Sequence, residues 1–164
     1  MKDPSVDWDP RLIELASLRQ ELLSRILLQN ALMIFAVAIF SVFAVAALAH
    51  PDFAWTAAFA HGATTMAIVL QWCHHGVRTK QIKEYLLELN PDQGGWERWL
   101  PSRRPRTILG SRWLISTKGV LLGLEIASML LAELLKAPRG SFSLLLGAGL
   151  LLANAAFLFT NPKE

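Results

Sequence analysis

Four apolar runs, at 26–49, 53–72, 113–135 and 142–160, constrain this chain more than any other feature. Each holds about 20 residues or more, enough at about 1.5 Å of helical rise per residue to cross a hydrocarbon layer about 30 Å thick. The expected fold class is all-α: an integral membrane four-helix bundle, folded as two transmembrane hairpins, with amphipathic cytoplasmic helices. Apolar residues make up 53% of the 164, and the four runs hold most of them. Little is left for a separate soluble unit, so one domain over 1–164 is expected. Met1–Gln20 carries acidic residues and no apolar stretch, so the first run reads as a retained helix and not a secretory signal.

Lys and Arg decide which way round the bundle sits. The segment 1–25 carries Lys2, Arg11, Arg19 and Arg25. The connection between the second and third runs carries Arg78, Lys80, Lys83, Arg98, Arg103, Arg104, Arg106 and Arg112, and Lys163 follows the fourth. All of these fall on one side in a four-span reading, and the opposite side has only Lys136 and Arg139. Both termini and the 75–112 connection are therefore expected in the cytoplasm, with the protein in a bacterial inner membrane. Trp55, Trp72 and Trp113 fall at the ends of runs, where amphipathic rings sit well at an interface. The net charge of +3 suits an anionic lipid surface. Nucleic acid is not an expected partner, because Arg103, Arg104 and Arg106 sit where the chain re-enters the bilayer.

The cytoplasmic parts carry helical patterns of their own. Leu12, Ile13, Ala16, Leu23 and Ile26 can share a face of a stalk over 1–25 that runs into the first span. Ile82, Tyr85, Leu86 and Leu89 mark a second amphipathic helix over 78–89, with Lys80 and Glu84 as an i, i+4 pair. Asn90–Pro91 should end it. Trp96 and Trp99, with Arg103, Arg104 and Arg106, then form a segment expected to touch lipid headgroups or a partner protein.

Within the spans, polar residues are few and costly. An ionised carboxylate at mid-span costs roughly 2.5–3.5 kcal/mol or more, so Glu125 should be neutral or paired and should face other helices. Counted inward along the helices at about 1.5 Å per residue, Glu125 lies about 16 Å deep, Asn154 about 18 Å and His61 about 12 Å, a common layer if their azimuths agree. Glu125, Lys118, Asn154 and His61 are the intramembrane polar or pore candidates. For Glu125 a register-fixing carboxyl and a proton-binding or pore-lining group are both open. A second layer, Gln29, Gln71, His74 and His75, falls at the cytoplasmic end beside Lys118. Small residues recur at i, i+4, i+8: Ala54, Ala58 and Gly62; Gly119, Gly123 and Ala127; and more briefly Gly149 and Ala153. Such stripes allow close helix approach, within one chain or between copies.

No metal, cofactor or catalytic constellation is expected. Cys73 is the single cysteine, adjacent His74 and His75 point apart on a helix, and no two histidines lie at matching depth on different helices for a haem. The phosphate-binding glycine loop, the nucleophile elbow and the HExxH pattern are absent.

The segments Glu21–x3–Arg25–Ile26–x–x–Gln29, His74–His75 followed by Gln81–Ile82–x–x–Tyr85, and Gly95–Trp96–Glu97 resemble a pattern in small, uncharacterised bacterial four-span membrane proteins. The resemblance covers about half of the chain and implies that the cytoplasmic ends of the first two spans and the connection form one unit. It implies no activity, cofactor or site. The expected function is a non-enzymatic, self-assembling membrane protein acting as a small channel or membrane-perturbing effector. The alternatives are a scaffold or accessory subunit docking a partner on its stalk and loop, and a proton or solute carrier. The expected partners are the lipid bilayer, further copies of the chain and a cytoplasmic protein.

Overall fold

The computed structural model describes residues 10–89, 117–138 and 143–160. These form four α-helices with no strand among the described residues: α1, Pro10–Ala49; α2, Ala54–Leu89; α3, Thr117–Leu134; and α4, Ser143–Thr160. The all-α class therefore stands. α1, α2 and α4 are each long and apolar enough to cross a membrane. α3, the described part of the run expected as the third span, is set apart from these by charge: its 18 residues include Lys118, Glu125 and Glu133.

The joint between α1 and α2 follows from Pro51. His50 leaves the helical region (φ −135°, ψ 76°), as a residue before proline prefers, and Pro51–Phe53 make one 3-10 turn. His50 N–H still reaches Ala46 O at 3.0 Å, and Phe53 N–H closes the turn on His50 O at 3.0 Å. The chain thus reverses within four residues, and α1 and α2 run antiparallel in contact.

α3 ends in a Schellman motif. Lys136 takes φ 52°, Lys136 N–H donates to Glu133 O at 2.9 Å, and Ala137 N–H reaches back to Ala132 O at 3.3 Å. The left-handed conformation costs a non-glycine residue roughly 1–2 kcal/mol. The buried Ala132 and Ala137, packed in one cluster, offset that strain, and Pro138 prevents the helix from resuming.

α2 is the hub and packs against all three other helices, while α1 also touches α3. Its inward residues follow one helical seam, from Ala54, Trp55 and Ala58 through His61, Gly62 and Thr65 to Ile68 and Val69. Two apolar clusters form on this seam. The one near Trp55 gathers Ala47, Ala54, Ala58, Ala132 and Ala137, with Phe59 and Met129 against it. The one near Trp72 gathers Ala36, Ile68, Val69, Leu121 and Leu158. Gly147 lets α4 close on the first: a Cβ there would sit 2.6 Å from Met129 Cε.

Two expectations about the cytoplasmic helices need correction. The helix expected over 78–89 is present, but not as a separate element: α2 continues without a break from the apolar run through His74 and His75 to Leu89. The single Gly76 weakens a helix by about 1 kcal/mol and cannot end one already held by its packing. On α1 the half-buried seam is Leu15, Leu18, Leu22 and Ile26, whereas Ile13, Ala16 and Leu23 face outward. Leucine is so frequent there that two apolar stripes fit the pattern, and contact with α2 selects one of them.

Candidate functional site

Between the two apolar clusters lies a buried polar layer: His61 and Thr65 on α2, Glu125 and Ser128 on α3, and Asn154 on α4. The three deep candidates thus share one place, because each falls on its helix's inward seam. Glu125 and Ser128 are three apart between Leu121 and Ala132, and Asn154 is four before Leu158. Glu125 is 2% exposed and Asn154 is 0% exposed.

Asn154 is the centre of the bonding. Its Nδ2 donates to Glu125 Oε2 at 2.9 Å and more weakly to the Gly62 carbonyl at 3.4 Å. Since a carbonyl can only accept, this fixes which end of the amide faces Glu125. Ser128 donates its hydroxyl proton to the Glu125 backbone carbonyl at 2.7 Å, and His61 Nδ1 lies 3.2 Å from the same hydroxyl oxygen. With the serine proton committed, Nδ1 carries hydrogen and donates to Ser128 Oγ. Phe40 and Phe43 of α1 set their rings edge-on to the imidazole, at centroid separations of 5.5 and 6.0 Å.

Ser128, His61 and Glu125 are three residue types of a hydrolytic triad, yet the arrangement does not make one. The hydroxyl proton points away from the imidazole, and the carboxylate bonds to Asn154 instead of orienting His61. The layer can hold helices in register and hold a proton. Glu125 Oε1 and Asn154 Oδ1 are buried with no hydrogen-bond partner among the described residues. A charged carboxylate here would have one amide donor and no ion pair among the described residues. Burying such a charge is expensive, so the neutral acid is the stable form.

Lys118 does not join this layer. Its Nζ stands over the rings of Trp72 and Phe159, at 5.8 and 5.9 Å from their centroids, at the other apolar cluster's end of the bundle. The second expected layer is also only partly assembled. Gln29 donates to the Trp72 carbonyl at 3.3 Å and so ties α1 to α2, and the His74 and His75 rings meet edge to face at 5.8 Å. Gln71 is exposed. Among the described residues no three His, Cys, Asp or Glu side chains gather as metal ligands would. Trp96, Trp99, Arg103, Arg104 and Arg106 lie outside the described residues.

Sequence reasoning missed several participants. Ser128 shares the Glu125 face at i+3, and that spacing was the available signal. Phe40, Phe43 and the Gly62 carbonyl had no signal, since any of the apolar residues of α1 or the carbonyls of α2 could have served. It also missed the tie between the helix extensions: Tyr85 donates its hydroxyl to Glu14 Oε1 at 2.9 Å. Beside it a groove of about 460 Å³ runs between α1 and α2, lined by Glu21, Arg25, His74, Arg78 and Gln81.

The Tyr85 contact yields a measurable titration. Hydrogen bonding to the Glu14 carboxylate, then its charge, then slight burial push the phenol above its ordinary value. The contact's contribution is therefore complete below the usual tyrosine range near about 10 and is lost as pH rises through the raised value. Tyr85 is the single tyrosine, so ultraviolet difference absorbance follows it alone. The phenolate midpoint should lie above that of a free tyrosine, and Glu14→Gln should bring it back down. An unchanged midpoint in Glu14→Gln would show that the tie does not form in solution.

Comparison with protein-family models, curated proteins and solved structures finds no match to this chain.

Proposed function

We propose that this chain is a non-catalytic scaffold or accessory protein of a bacterial inner membrane, holding a two-helix stalk at the cytoplasmic surface. The observation that carries the reading is the continuity of α1 and α2. Both run past their apolar segments, and the Tyr85–Glu14 bond ties their extensions together. Residues 10–25 alone add about 24 Å of helix at 1.5 Å per residue. Two long helices held side by side present a preorganised surface, which lowers the ordering cost of docking a partner. Outward leucines, valines and phenylalanines of α1 and α4 support placing the bundle in lipid. The one-sided distribution of Lys and Arg supports a cytoplasmic stalk and termini.

The buried layer fits this reading as a register device. Glu125 is enclosed by its own bundle, so a conduit formed between copies would be lined by other residues.

A second reading, a self-assembled channel or membrane-perturbing effector, draws on Gly123 and Gly149. Both are exposed, and a Cβ on either would meet nothing within 4 Å. Outward glycines allow the backbones of two copies to approach. The two readings separate in vesicles containing this protein alone. The scaffold should leave ion flux at the protein-free level, and a photoreactive residue replacing Glu84 should form one discrete adduct in cells that the same residue at Val42 does not. Steady ion flux from such vesicles, with a particle mass of several copies, would replace the scaffold by the channel.

A further inference from the structure

We infer that the groove between α1 and α2 binds the phosphate of an anionic phospholipid headgroup, held by Arg25 and Arg78 with His74 beside them in the same groove. The inference rests on the membrane reading above and adds a ligand to it.

Three observations converge. First, Arg25 directly precedes the first apolar run, and His74 lies two residues beyond Trp72, so both fall at headgroup depth. Second, the groove draws a guanidinium from each helix, and each keeps donors in hand. Arg25 uses Nε and Nη2 on Glu21 Oε1, and Arg78 uses Nη1 on Gln81 Oε1 at 3.2 Å. A guanidinium has five N–H donors in a planar fork suited to phosphate oxygens. Third, the local field is positive. Next to the groove, the His75 imidazole is held below its ordinary value by burial first, and then by the charges of Arg25 and His74. Among the described residues Glu21 is the one carboxylate lining the groove, and it offsets one arginine and not both.

The source of the phosphate follows from what flanks the groove. On its membrane side α1 presents Leu27 and Leu28 outward, 68% and 50% exposed, a surface for the acyl chains of the same lipid. A free phosphate would gain nothing from those leucines. A phospholipid gains both the charge-assisted hydrogen bonds and the apolar contact.

The test is native mass spectrometry of the full chain released from vesicles of equal phosphatidylglycerol and phosphatidylcholine. Retained phosphatidylglycerol should exceed phosphatidylcholine about thirtyfold, the ratio that two arginines near a headgroup imply. The preference should fall to near parity in Arg25→Gln/Arg78→Gln and persist in Lys80→Gln/Lys83→Gln, which removes equal charge outside the groove. Arg78→Gln alone, which leaves the Arg25–Glu21 pair intact, should lose part of it. Helix content by circular dichroism should be the same in all of them. Equal retention of both lipids by the unaltered chain, or an equal loss in the lysine variant, would overturn the site while leaving the membrane reading in place. Loss of the lipid on adding inorganic phosphate would assign the groove to free phosphate instead. A chain that does not float with vesicles of either lipid would overturn both readings.

Discussion

Replacing Glu125 with lysine is expected to cost the bundle about 3–5 kcal/mol, the range for a buried charge left without a partner. Glu125→Gln is expected to stay within about 1 kcal/mol of the unaltered protein. The contrast follows from the bonding. Glutamine keeps the shape and an oxygen to accept from Asn154 Nδ2, and its own NH2 takes the place of Oε1, which has no partner among the described residues. Lysine puts an ammonium beside Asn154 Nδ2, a donor facing a donor, in a layer bounded by Leu121 and Leu158, both 0% exposed. Glu125→Ala should fall between them, because it leaves the Asn154 amide only its weak bond to Gly62 O. Denaturant unfolding in detergent, followed by helical circular dichroism, ranks the three. If glutamine destabilised as much as lysine, the working form of Glu125 would be the ionised one, and the neutral acid assigned to the resting layer would be wrong.

The second large effect is expected at Gly62. A Cβ built there would lie 3.2 Å from Glu125 Oε1 and 3.3 Å from Leu150 Cδ1. Leu150 can turn away, but Glu125 is tethered through its other oxygen to Asn154, and Asn154 in turn to the Gly62 carbonyl. Gly62→Val should therefore push α3 and α4 off α2 and cost roughly 1–3 kcal/mol, as overpacked cores do. Gly62→Ala should be milder, since better helix propensity, worth up to about 1 kcal/mol, opposes a smaller clash. Gly123 supplies the comparison on the same scale. It is exposed with open space around its Cβ direction, so Gly123→Ala should gain the propensity term with no clash. Equal melting shifts at the two glycines would mean that α2 does not approach Glu125 as closely as the geometry has it.

Both predictions concern positions whose importance the sequence shows only in part. Gly62 and Gly123 look alike there, each a small residue in an i, i+4 stripe, yet one is pressed against a carboxylate and the other faces outward. Ser128 looks like a tolerated hydroxyl, yet it links His61 to the backbone of Glu125. In each case the missing quantity is azimuth. Spacing along a helix places a residue in depth to within a few ångströms, but which way its side chain points is known only once the neighbouring helix is in place.

Some things needed no structure. The long apolar runs of the first, second and fourth helices, the reversal at Pro51 and the shared depth of His61, Glu125 and Asn154 are all set by composition, by proline's fixed φ and by a constant rise per residue. Packing decided the rest. It chose one of two leucine stripes on α1, joined two expected helices into the unbroken α2, and turned three polar residues of different helices into one bonded layer. The physical reason is that rise is a property of one helix, while facing is a property of a pair. A helix rotates freely about its axis until burial against a partner makes one orientation cheaper than the others.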